Sequence, residues 1–139
     1  MTRKISINKP YIRVGRVNCT IARKAHIKAA DIYISSNYLT HITNKHGNEL
    51  AGLGFDALTF VKAVCQNFNQ IRKGSGDSYL LVVYNEEMSQ VAAIRLNYAL
   101  KKGFWEIKTA EPRNGAAVRR KTLIWSVAQA DGGNGNRLR

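Results

Sequence analysis

Acidic side chains are scarce in this chain, and the first thirty residues contain none while carrying eight Lys or Arg. Over the whole sequence 9 Asp and Glu stand against 22 Lys and Arg, a formal charge of +13 with a pI near 10.2. A domain this unbalanced repels itself unless an anionic partner neutralises it. Nucleic acid is the leading candidate, because phosphate neutralisation by Lys and Arg supplies most of nonspecific affinity. The plainer alternative is a charge that only keeps the protein soluble. Cysteine is scarce too. Cys19 and Cys65 are isolated, in dissimilar contexts, and read as reduced small hydrophobes rather than a disulfide framework, a zinc site or a redox pair. No run of 18 apolar residues is present to form a spanning helix, so no membrane partner is expected. The opening MTRKISINKPYIRVGR lacks the apolar core that a secretory signal needs, which makes the cytoplasm the expected location.

What is present suits one globular domain: 139 residues, 45% of them hydrophobic. Residues 1–30 read as a basic N-terminal arm or a lead-in strand, 31–128 as the folded domain, and 129–139, which include DGGNGNRLR, as a flexible tail. DIYIS (31–35) is a short strand, and Ser35 or Ser36 can cap a helix after it. Tyr38, Leu39 and Ile42 at helical spacing predict a short helix ending at His46, with Gly47 as its C-terminal cap. A second helix is expected from about Phe55 to Arg72, closed by KGSGD. Four strands then follow: YLLVVYN (79–85), QVAAIRLNYAL (90–100), FWEIKTAEP (104–112) and TLIWSVA (122–128). On the third of these, Trp105, Ile107 and Thr109 should share a face. Short connections pair consecutive strands, so the expected fold is α+β, with N-terminal helices packed on a four-stranded antiparallel meander. The basic stretch RNGAAVRRK (113–121) is longer than a hairpin needs, and reads as a ligand-holding or mobile loop.

Two of the three histidines fall in YLTHITNKHGNEL (38–50). Residues five apart on a helix lie roughly 140° from one another around the axis, so His41 and His46 cannot chelate one ion as a pair four apart can. No metal or other cofactor is expected. His41 aligns instead with Lys45, on a line that is either solvated or turned to a ligand. His41 can both take and give a proton near neutrality. His46 is equally suited to a structural role against the last carbonyls of its helix.

Taken together, IYISSNYLTHITNKHG, NFNQIRKG, YLLVVYN, AAIRLNY, FWEIKTAEP and LIWS resemble the phage and polymorphic-toxin branch of the barnase, EndoU, colicin and RelE-like (BECR) nuclease superfamily, over about residues 30–127. The most specific parts are His-x-x-x-Lys-His on the first helix and aromatic-x-Ile-Lys-Thr-Ala-x-Pro on the strand. The resemblance implies a toxin or a phage or mobile-element effector, a ribonuclease working without a metal on RNA, transfer RNA being one candidate. An acidic immunity or antitoxin protein would be its protein partner. It places His41, Lys45, His46, Lys108 and Thr109 in the catalytic site. Metal-free cleavage needs a base for the 2'-hydroxyl, an acid for the departing 5'-oxygen and fixed cations for the phosphorane. His41 is cast as base or acid, Lys45 and Lys108 as cations, and the Thr109 hydroxyl as a hydrogen-bond donor. Arg95, Arg113, Arg119, Arg120 and Lys121 would bind flanking phosphates. Thr109 as a plain β-branched strand residue, the Arg cluster as a solvated turn, and Trp105 and Trp125 as core or as base-stacking rings all stay open. The alternative function is a noncatalytic nucleic-acid-binding or regulatory protein with a basic surface.

Overall fold

A computed structural model of the chain describes residues 10–127, so the expected tail at 129–139 lies outside the described residues. The elements are β1 (Tyr11–Val17), α1 (Cys19–Ala25), β2 (Ala30–Ser35), α2 (Ser36–Gly52), α3 (Ala57–Asn67), β3 (Gln70–Lys73), β4 (Tyr79–Val83), β5 (Gln90–Ala99), β6 (Phe104–Asn114), α4 (Gly115–Arg119) and β7 (Leu123–Ser126). All seven strands form one sheet in the order β1-β2-β6-β5-β4-β3-β7. Every pairing is antiparallel except β2 with β6, where Ile32 and Tyr33 run alongside Trp105 and Glu106 in the same direction. The fold is α+β, but the four-stranded antiparallel meander is overturned by this seven-stranded mixed sheet. No helix among the described residues is long and apolar enough to cross a membrane.

Three local causes account for the difference. First, α3 stops at Asn67 rather than Arg72, because Phe68 takes an extended conformation and the Asn69 side chain bonds both backbone groups of Tyr84. An amide that satisfies strand groups in this way competes with helix continuation. QIRK therefore becomes β3, with Ile71 fully buried. Second, the stretch 113–121 is neither loop nor hairpin. It contains α4, whose Val118 packs with Leu80, Val82, Val91 and Ala93 on the sheet face away from α2 and α3. Burying Val118 carries the chain across that face, and β7 emerges at the far edge beside β3, with Trp125 opposite Ile71. Third, the long excursion between β2 and β6 leaves an edge of β6 open, which β2 fills in parallel.

Helix α2 also outruns its expected end at His46. Gly47 is interior, and the helix continues to Gly52, with Leu50 fully buried. An interior glycine costs about 1 kcal/mol relative to alanine, and burial of a whole leucine offsets that at about 1.5–3 kcal/mol. The start is as the sequence predicts, since Ser35 accepts a hydrogen bond from the Tyr38 amide at 3.2 Å.

Of the first thirty residues, 11–17 form an edge strand paired along β2, and Gly15 lets it approach α3. A Cβ built on Gly15 would lie 2.8 Å from the Cβ of Cys65, whose thiol burial pushes up to about 12. Gly15→Ala should therefore destabilise the fold by about 1–3 kcal/mol in urea unfolding. Gly52→Ala, which meets nothing within 4 Å, should cost nothing. Equal unfolding midpoints for the two variants would remove the steric account.

Candidate active site

The site is built where α2 runs beside β6. Ile42 and Leu50 are fully buried and seat α2 in the core, so its Tyr38, His41 and Lys45 share another face at spacings of three and four. His41 and Lys45 are exposed, and the His41 ring meets the edge of Tyr38 at 6.4 Å between centroids. Tyr38 in turn lies under Lys108, whose Nζ is 4.8 Å from the ring centroid and 3.5 Å from the hydroxyl.

Lys108 reaches that position through a β-bulge. Arg95 faces Thr109 and Leu96 faces Ile107, so Lys108 is the extra residue on β6. The bulge also corrects the expected face of this strand. Trp105 and Ile107 enter the core, but Ala110 and not Thr109 is the next residue to do so. Thr109 is left half-buried beside Arg95.

Beyond Lys108 the contacts continue to Glu106, a residue only 8% exposed. Its Oε1 lies 3.3 Å from Lys108 Nζ, and its Oε2 accepts a hydrogen bond from the Tyr11 hydroxyl at 3.0 Å. Lys102 also donates to Tyr11, and that bond holds the Lys102 ammonium above the usual lysine range against a small desolvation cost. Glu106 and Lys108 open onto a polar groove of about 450 Å³ shared with Arg95, Asn97 and Ser78. The Arg95 side chain lines the groove, while its Nε is buried away from solvent with no hydrogen-bond partner among the described residues. The guanidinium places a fixed positive charge at the groove wall, which favours an anionic oxygen there.

His46 is placed differently from His41. Its Nδ1 is 3.0 Å from Glu49 Oε1 and its Nε2 is 3.0 Å from Glu111 Oε1. The Glu49 contact is a hydrogen bond, whereas the Glu111 contact is a close charge approach without hydrogen-bond alignment. The two ring nitrogens point in opposite directions, so the carboxylates cannot join the ring around one ion. Among the described residues no three His, Cys, Asp or Glu are grouped to hold a metal. Glu111 also lies 3.9 Å from Arg113.

The remaining expected phosphate ligands are elsewhere. Arg119 donates to the Tyr84 hydroxyl at 2.7 Å and lines a separate groove with Glu86 and Glu87. Arg120 is exposed beside it, and the carbonyls of Arg119 and Lys121 accept from Arg72. Trp105 and Trp125 are core, at 2% and 6% exposure. Sequence reading missed Tyr11, Tyr38, Asn97, Glu106 and Glu111. Only Glu106 carried a signal, as a rare acid two residues before a lysine on a strand.

Compared with family models, curated proteins and solved structures, the chain matches none of them significantly.

Proposed function

We propose that the protein is a metal-independent endoribonuclease that cleaves RNA by attack of the 2'-hydroxyl on the adjacent phosphorus. The observation that carries the reading is the meeting of two separate sequence motifs. Tyr38, one turn before the helix motif, touches Lys108 of the strand motif, 70 residues away, and His46 of the first touches Glu111 near the end of the second.

Lys108 then has a proton-transfer group on either side: the Glu106 carboxylate directly, and the His41 imidazole beyond Tyr38. One would remove the 2'-hydroxyl proton and the other would protonate the departing 5'-oxygen. The ammonium of Lys108 and the guanidinium charge of Arg95 at the groove wall would stabilise the charge that builds on the nonbridging oxygens. Lys45, one turn beyond His41, and Thr109, opposite Arg95, stand where flanking oxygens would pass. His46 serves as a positioning residue, tying α2 to β6 through Glu111. A toxin or mobile-element role, with an acidic antitoxin over the basic surface, fits the same reading through charge complementarity.

Purified protein incubated with total RNA in excess EDTA should yield fragments ending in 2',3'-cyclic phosphate. Bound but intact RNA would favour the noncatalytic reading, a basic nucleic-acid-binding protein.

A further inference from the structure

We propose that the half-buried aromatic rings at the β1-β2-β6 edge, Tyr33 and Phe104 with Tyr11 beside them, form a stacking platform for an unpaired base, making single-stranded RNA the substrate form. The inference rests on the reading above, in which the neighbouring groove takes the phosphodiester.

The register places these rings on the groove's own face. Arg13 faces Tyr33, Tyr33 lies beside Glu106, and Glu106 faces Asn97, so the four side chains form one row across β1, β2, β6 and β5. Glu106 and Asn97 line the groove, and Tyr33 is one strand spacing, about 4.8 Å, from Glu106. A strand with a base on Tyr33 can therefore keep its next phosphate near Arg95 and Lys108. Ile32 and Ile34, which alternate with Tyr33 on β2, point the other way into the core under α2 and α3.

The rings form one cluster, and each keeps part of its surface accessible. Phe104 lies 4.5 Å from Tyr33 and 5.2 Å from Tyr11 between centroids, and all three are half-buried. The surrounding charge suits a polyanion. Arg13 and Arg16 share the single carboxylate of Asp31, leaving one cation in excess, and Lys102 stands over Tyr11. Aromatic rings set among cations bind single strands through stacking and phosphate contacts together, whereas a duplex keeps its base faces stacked internally. This also gives β1 a purpose, since it brings Tyr11 and Arg13 to the site.

The test is binding of a short single-stranded 2'-O-methyl oligonucleotide, which cannot be cut by 2'-hydroxyl attack. Wild type should bind it about 5- to 100-fold more tightly than an abasic strand of the same length, the range that stacking of one base supplies. Tyr33→Leu and Phe104→Leu should each lose a similar factor with an unchanged salt slope, while Tyr33→Phe keeps the affinity. If the leucine variants fail to fold, photo-crosslinking of a 5-iodouridine strand to wild type decides, with adducts on the peptides carrying Tyr33 or Phe104 expected. Equal affinity for abasic and normal strands, or adducts only elsewhere, would overturn the platform. Ring-dependent binding with natural RNA left intact would instead refute the ribonuclease reading and leave the platform standing.

Discussion

His41→Ala should cleave RNA about 10²- to 10⁴-fold more slowly than wild type, the usual worth of one proton-transfer group, and should bind an uncleavable strand almost equally well. The two histidines of α2 make this a discriminating result. His41 is exposed beside Tyr38, so its removal deprives the fold of little. His46 is hydrogen-bonded to Glu49 and lies 3.0 Å from Glu111, so its removal takes the ring away from two carboxylates. His46→Ala should therefore lower the melting temperature as well as the rate, whereas His41→Ala should lower the rate alone. Cleavage by His41→Ala at the wild-type rate would remove His41 from the mechanism. Loss of rate in His46→Ala at unchanged stability would move the proton transfer one turn along the helix.

The parts of the fold legible in the sequence were those with strong local signals. Ser35 or Ser36 before a helical period marked the start of α2, and the runs at 79–85, 90–100 and 104–112 marked β4, β5 and most of β6. What escaped reading depended on partners distant in sequence. QIRK is too short to declare itself a strand, and becomes one because Asn69 reaches Tyr84 and Ile71 has Leu81 and Trp125 beside it. The irregular pattern of β1 follows from its position at an edge and from its register shift between Arg13 and Gly15. The place of β7 is decided by the burial of Val118, which no short connection foretells.

The site divides in the same way. His41, Lys45, Lys108 and Arg95 could be named because they are the residue types that metal-free phosphodiester chemistry needs. Glu106 carried only a weak mark, a rare acid two residues before a lysine, because alternation on an ideal strand assigns it to solvent. Its functional surroundings come from a tyrosine 95 residues away and from a bulge that brings Lys108 beside Tyr38. A bulge changes which residues share a face, and a period-two reading of FWEIKTAEP cannot register it.

Lys108→Met should have the second large effect, and it should act on two observables at once. Losing the ammonium removes a cation from the groove, worth about 10²- to 10³-fold in rate if it stabilises the phosphorane charge. It also leaves the little-exposed Glu106 carboxylate with Tyr11 as its remaining hydrogen-bond donor. An under-satisfied buried acceptor costs about 1–3 kcal/mol of stability. Glu106→Gln in the same chain removes the stranded charge and should restore most of the lost stability. It should not restore activity, because both the cation and one proton-transfer group are then gone. Stability recovered together with activity would mean that Lys108 and Glu106 are a structural ion pair at the mouth of the groove. Stability recovered without activity would separate the packing role of the pair from its chemistry. That separation is what the geometry predicts, since one edge of Lys108 faces Glu106 and the other faces the Tyr38 ring, beyond which lies His41.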